Sequence, residues 1–442
     1  MELKQSICLV SLGCAKNLVD SEVMLGVLAR AGFALTADRQ AADIIIVNTC
    51  AFIEASTREA IDVIFSLARC KQTGCCRHLV VCGCLPQRYK DGLLAEMPEV
   101  DLFLGTGEFD RIDRHLHKLI AGRPHKRLHS SRSTLLMGSE TPRMLSTPSG
   151  SAYVKIAEGC SHRCTYCTIP LIRGPYRARS QRSIIQEARH LAACGVKELN
   201  LIAQDTTCYG DLAGLLRRLA RIRGIVWLRL LYGHPASLNP ELLAVMAGEE
   251  KICRYLDLPL QHIADPVLRR MGRKITRAKT EALLAALQSR VPGIALRTTF
   301  IVGFPGETDS DFEQLMEFAG HARFEHMGAF MYSDEDGTPA ARLARKLPEE
   351  VKRERYHRLM SLQRLISKEK LSARKGTALN ALVEGPAANS RYVVQARTEF
   401  QAPEVDGVVL LQESLPAGAM VRVKITRALT YDVAGKTVCH DV

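Results

Sequence analysis

Cys160, Cys164 and Cys167 stand in the run EGCSHRCTYCTIP as a C-x3-C-x2-C triplet that follows a strand-like segment. Three thiolates can hold three corners of a cubane iron–sulfur cluster and leave the fourth iron without a protein ligand. An iron with an open position can bind and activate a small molecule, whereas a cluster held by four cysteines mostly carries electrons. Structural zinc would pair C-x2-C knuckles with a fourth ligand, and no such partner follows at a matching distance. Ligation through His162, inside the loop, would strain so short a turn. The triplet points to catalysis.

A second constellation lies near the N-terminus. Cys14 in SLGCAKNLVDSE, Cys50 in VNTCAF and Cys84 in GCLPQRY each end an apolar run just before a helical pattern. In an open parallel sheet such ends converge on one crevice, so residues far apart in the chain can meet and hold a second three-cysteine cluster. Cys82 competes with Cys84, because residues two apart on a strand share a face. Cys84 is preferred at the strand's end, where Gly83 permits close backbone approach. Cys8, Cys70, Cys75, Cys76, Cys82, Cys194, Cys208, Cys253 and Cys439 read as buried or incidental thiols.

The elements that must position these thiols are legible as alternating patterns. Residues 5–115 alternate the runs SICLVSLG, ADIIIVNTC and HLVVCGC with helical stretches, which predicts a small parallel α/β domain. Residues 116–145 are basic and rich in His, Ser, Thr and Pro, and read as a linker. Residues 146–373 hold six strand patterns separated by helices: SAYVKIAEG, VKELNLIAQD, IVWLRLLYG, RYLDLPLQH, IALRTTFIVGFP and HMGAFMYS. That is enough for an open, partial (β/α)6 barrel, with Cys160 just after its first strand and so at the mouth. A long polar helix closes this block. Residues 374–442 turn β-rich and predict a small β-barrel.

With 442 residues, 47% of them hydrophobic, the chain is too long for one core. No apolar stretch approaches the roughly 20 residues that cross a bilayer, and the N-terminus lacks the pattern of a signal peptide. Fifteen cysteines, unlike a secreted disulfide framework, suit a reducing cytoplasm. The net charge of +13 is unevenly spread: residues 111–145 and 341–375 are strongly basic, while 376–442 is nearly neutral. The basic segments are candidates for contact with ribosomal RNA phosphates.

The cysteine triplet, with an aromatic before its last member and a place on the first strand of a βα barrel, resembles the radical S-adenosylmethionine superfamily. That resemblance implies an open iron chelated by S-adenosylmethionine. One-electron cleavage of the cofactor then yields a 5′-deoxyadenosyl radical that abstracts hydrogen from carbon. With the second cysteine set and the C-terminal barrel, the whole chain resembles the methylthiotransferases, in which that barrel is the TRAM domain. The resemblance implies two 4Fe–4S clusters: Cys160, Cys164 and Cys167 hold the radical cluster, and Cys14, Cys50 and Cys84 hold an auxiliary cluster implicated in sulfur supply. Two molecules of S-adenosylmethionine are consumed per product.

SLGCAKNLVDSE, AQDTTCYG, RTTFIVGFPGET and APEVDG are similar to the branch that modifies an aspartate of the twelfth small-subunit ribosomal protein, free or in a ribosomal particle. The branch acting on an adenosine derivative in tRNA typically opens with QGC-x-MN, absent here, and should grip RNA with a basic TRAM domain. A non-catalytic iron–sulfur module binding RNA or ribosomes is the alternative of a different class. Gln401 departs from the pattern, which expects an acidic residue there. The branch implies an electron donor, a sulfur source, a cytoplasmic enzyme and no need for more than a monomer. Gln204 and Asp205 (ending the second barrel strand), His262 (closing the fourth with Gln261) and Arg297 (on the fifth) are candidates to bind S-adenosylmethionine. Arg173, Arg177, Arg179 and Arg182 face either substrate or solvent, and Tyr166 packs over the cluster.

Overall fold

The first three apolar runs become the centre of one sheet. In the computed structural model, which describes residues 5–439 except 125, 132, 133, 135 and the side chain of Cys439, six strands are β1 (Ser6–Ser11), β2 (Ala34–Leu35), β3 (Ile44–Thr49), β4 (His78–Gly83), β5 (Leu102–Leu104) and β6 (Leu128–His129). They pair in parallel in the order β2-β1-β3-β4-β5-β6. Helices cover both faces, so β3 is buried along its whole length, as expected of a parallel sheet. The segment read as a linker departs from that reading: β6 joins the sheet edge, and the helix Ile112–Ile120 crosses the boundary placed at 115. Arg143 then ties Glu22 (2.6 Å) to Glu187 (2.7 Å), so this stretch staples the first domain to the second.

The second sheet contains β7 (Ser151–Lys155), followed by a two-stranded ribbon of β8 (Ala157–Glu158) and β9 (Arg177–Ala178). It continues with β10 (Glu198–Ile202), β11 (Trp227–Leu230), β12 (Ile252–Asp257), β13 (Ala295–Val302) and β14 (His326–Met331). The order β14-β13-β12-β11-β10-β7 is wholly parallel and open, a six-stranded partial barrel. Strand alternation separates its faces. Ala152, Val154, Leu199, Leu201, Leu228 and Leu230 pack under the helices. Tyr153, Trp227 and Tyr255 share a core with Val23 and Met24 of the first domain and with Leu382 and Met420 of the third. The concave face of the half-barrel is therefore filled by its two neighbours.

The third domain is a closed barrel of β15 (Ala378–Pro386), β16 (Val394–Thr398), β17 (Val409–Leu411), β18 (Met420–Ala428) and β19 (Val433–Cys439), in the order β15-β16-β17-β19-β18. It is fastened by buried ion pairs. Glu198 accepts from Arg397 (2.5 Å) and Arg229 (2.9 Å), and all three are fully buried. Asp406 accepts from Arg297 (2.5 Å) and lies 3.3 Å from His326. Much of the positive charge on the helix Glu349–Ala373 is also neutralised within the chain: Arg355 meets Glu307 and Asp309, Arg358 meets Glu313, and Lys370 meets Glu325. Among the described residues no helix is long and apolar enough to cross a membrane.

Candidate active site

Because β1, β3 and β4 are adjacent and in register (Ser11 beside Asn48, Thr49 beside Gly83), the loops leaving them converge. Cys14 is the N-cap of the helix Ala15–Arg30, Cys50 follows β3 directly, and Cys84 opens the helix Cys84–Tyr89. The first two abut: a Cβ added at Gly13 would lie 2.7 Å from Cys50 Cβ. Cys82 and Cys84 do not share a face. Gly83, at φ +101°, breaks the strand's alternation, so Cys82 packs beneath the helix Ala15–Arg30 and Cys84 turns to the opposite side. Burial pushes the Cys84 thiol up to about 11 against the pull of Arg173, while Cys82 is buried with nothing to offset that penalty. Desolvation by the surrounding protein also opposes ionisation of Cys14. It is outweighed by Lys16, the Asn17 N–H and Arg173, which hold the thiol below its usual range.

Cys160, Cys164 and Cys167 occupy a loop braced by backbone bonds, Cys160 N to Gly174 O (3.1 Å) and Thr165 N to Met271 O (3.0 Å). Burial raises Cys160 and takes Cys167 up to about 12. Tyr166 packs edge-on to Phe304, centroids 6.4 Å apart. Arg273 Nη1 lies 3.9 Å from Cys164 Sγ.

Two contacts join the cysteine sets. Thr168 Oγ1, beside Cys167, donates to the carbonyl of Phe52, two residues past Cys50 (3.1 Å). Arg173, on the same short helix Ile169–Arg173, donates to Asp20 (2.6 Å), to Asn17 Oδ1 (2.5 Å) and to Cys84 Sγ (3.5 Å). The loops that carry the two trios are thus linked across the junction of the first domain and the half-barrel.

The donor sets fit clusters better than single ions. Tetrahedral zinc at about 2.3 Å from each sulfur draws its ligands within roughly 4 Å of one another. Among the described residues the only group of such ligand atoms gathered within 4.8 Å is His162, Asp205 and His234. Hydrogen bonding and stacking explain that group: His162 Nε2 lies 2.6 Å from Asp205 Oδ2, and its ring stacks on His234 at 4.1 Å. Asp205 holds His162 protonated, raising it to about 9. The mouth also offers buried polar atoms without hydrogen-bond partners, Gln204 Oε1, Asp257 Oδ1 and Gln261 Oε1. Tyr232 and Gln261 adopt φ of 61° and 73° there, backbone strain of the kind that gathers at ligand sites. A polar cofactor suits such a lining.

The residues expected at the S-adenosylmethionine site divide. Gln204 lies just past β10, donates to Glu158 (2.7 Å) and keeps its oxygen free. Asp205 is consumed by His162, Thr207 and the Cys208 N–H. His262 lies beyond β12, which ends at Asp257; its ring is fully buried 3.8 Å from Glu307, and its Nε2 has no hydrogen-bond partner. Arg297 pairs with Asp406 of the C-terminal barrel and lies 3.8 Å from Asp257. Arg173 and Arg179 do not face solvent; both are buried in ion pairs, Arg173 with Asp20 and Arg179 with Glu187 (2.6 Å). Gln401 accepts from the Thr398 N–H (3.0 Å) and closes a turn. The Cys439 thiol lies outside the described residues. Sequence reasoning missed Lys16, whose neighbour Cys14 was the only available signal.

A six-stranded parallel half-barrel carrying this cysteine loop at its mouth defines a radical S-adenosylmethionine enzyme. The Radical SAM superfamily model matches residues 154–319, the uncharacterized family UPF0004 matches 6–105 and the TRAM domain matches 376–438. Among solved structures, the radical S-adenosylmethionine methyltransferase TsrM of Kitasatospora setae shares the fold over 77% of each chain (TM-score 0.59, 18% identity). Curated relatives are much nearer. The ribosomal protein uS12 methylthiotransferase RimO of Geotalea uraniireducens is 45% identical over 99% of both chains. That of Pelotomaculum thermopropionicum is 47% identical over 98% of this chain and 99% of its own. The chain belongs to the uS12 methylthiotransferase family of radical S-adenosylmethionine enzymes, and its cofactors are 4Fe–4S clusters and S-adenosylmethionine.

Proposed function

We propose that this enzyme replaces a C–H bond on the β-carbon of one aspartate of ribosomal protein uS12 with a methylthio group. Cys160, Cys164 and Cys167 hold the radical cluster and Cys14, Cys50 and Cys84 the auxiliary one. The carrying observation is the link between the trios, in which Arg173, just past the loop of one, reaches Cys84 of the other. The bound groups supply a 5′-deoxyadenosyl radical and a sulfur carrier. The protein's part is to position them and to exclude water: Thr168 and Arg173 fix the spacing of the loops, and Tyr166 packs beside the radical set.

The C-terminal barrel spends Asp406 on docking to Arg297, and within it Glu384 holds Arg397, the partner of Glu198. The helix cations Arg353, Arg364 and Lys368 face solvent and supply a contact to ribosomal RNA when the substrate is an assembled particle. The enzyme acts in the cytoplasm, as a monomer. Mass spectrometry of uS12 from a deletion strain tests the reading. Loss of a methylthio mass on one aspartate is expected; an unchanged modified aspartate refutes it, and loss of methylthio-adenosine from tRNA would transfer the activity to nucleic acid.

A further inference from the structure

Lys16 is the second residue of the helix Ala15–Arg30, two positions past Cys14, and only 8% exposed. Among the described residues no carboxylate lies within 4.0 Å of its ammonium, whose one close contact is the ring of Tyr232, 3.0 Å below. The other buried lysine is treated differently: Lys155 meets both Asp20 (2.5 Å) and Glu158 (2.8 Å). A buried ammonium with no carboxylate against it is costly, and an aromatic face offsets only part of that cost. Its surroundings are rigid. Tyr232 sits at φ 61° with its N–H on Asp257 Oδ2 (3.0 Å), and Asp257 Oδ1 is buried without a hydrogen-bond partner. The helix N-terminus adds positive potential at the same place, because Cys14 provides no side-chain cap.

We infer that Lys16 is the specificity residue that receives the carboxylate of the target aspartate. The inference rests on the function proposed above. The carbon to be modified is bonded directly to that carboxyl carbon, so wherever sulfur is delivered from the auxiliary trio, a carboxylate must be buried beside it. Lys16 is the cation beside Cys14 that no carboxylate engages at ion-pair distance: Arg173 serves Asp20, and Arg297 serves Asp406. Its three donors are free to take the incoming oxygens, with Tyr232 fixing the ammonium from below.

The test uses reconstituted full-length enzyme and isolated uS12 carrying either Asp or Asn at the target position. Wild type is expected to bind and modify the Asp form in strong preference to the Asn form. Lys16→Met, close in volume, should weaken binding of the Asp form on the order of 100-fold, barely change binding of the Asn form, and keep its iron content. Lys16→Arg should retain the preference for Asp. Equal loss for both forms, or unchanged discrimination with an altered auxiliary-cluster potential, overturns the inference and makes Lys16 a counter-charge to the thiolates. Failure of wild type to modify uS12 at all refutes the proposed function itself, and the inference with it.

Discussion

Glu198→Gln isolates the fastening between the half-barrel and the C-terminal barrel. Glu198 is fully buried and faces two fully buried guanidiniums, Arg397 at 2.5 Å and Arg229 at 2.9 Å. Burial opposes its charge, but the two arginines win and hold the carboxyl at about 2, against an ordinary 4.5. At about 1.4 kcal/mol per unit that difference corresponds to about 3 kcal/mol. Removing one partner of a buried pair independently suggests about 3–5 kcal/mol, because it strands the remaining charge. The depressed carboxyl stabilises the fold fully above pH 4.5 and loses that contribution as pH falls through about 2.

Trp227 is the chain's single tryptophan, and it packs in the same core as Leu382 and Met420 of the docked barrel. Its emission under urea therefore reports undocking. At neutral pH the variant's midpoint should fall by about 1 M or more, and the gap from wild type should narrow as pH drops toward 2. A variant within about 0.2 M of wild type would refute the claim that this ion triad holds the domains together.

Arg173→Met removes a cation 3.5 Å from Cys84 Sγ. A unit charge at that range, screened as in a protein, is worth a few kcal/mol, so the auxiliary potential should fall on the order of 100 mV; an unmoved potential in an EPR titration argues against the contact. Gly13→Ala puts a Cβ 2.7 Å from Cys50 Cβ at a φ of +95°, and should cost iron at the auxiliary site while the radical site still fills, as read by iron assay and EPR. Cys160→Ala should abolish cleavage of S-adenosylmethionine and halve the iron, whereas Cys84→Ala should keep cleavage but stop methylthiolation. Equal losses in both variants would contradict the division of labour.

The spacing of the cysteines, the parallel α/β units and the C-terminal β-barrel were legible in the sequence. Each is written locally, in thiol spacing, in apolar runs of strand length and in the turns that follow them. The preference for Cys84 over Cys82 rested on its place after Gly83, where a left-handed φ turns the chain and sends the two thiols to opposite sides. Tertiary structure alone decided what lies across from each side chain. Arg297 lies early on its strand and His262 beyond the end of its own, and across from them stand Asp406, more than a hundred residues later, and Glu307. The stretch read as a linker proved to be a sheet edge and a staple because its partners, Leu104 and Glu22, lie on other elements. Lys16 shows the same limit from the other side. Nothing in GCAKN marks a lysine as unpaired, because the absence of a partner is a property of the space around it.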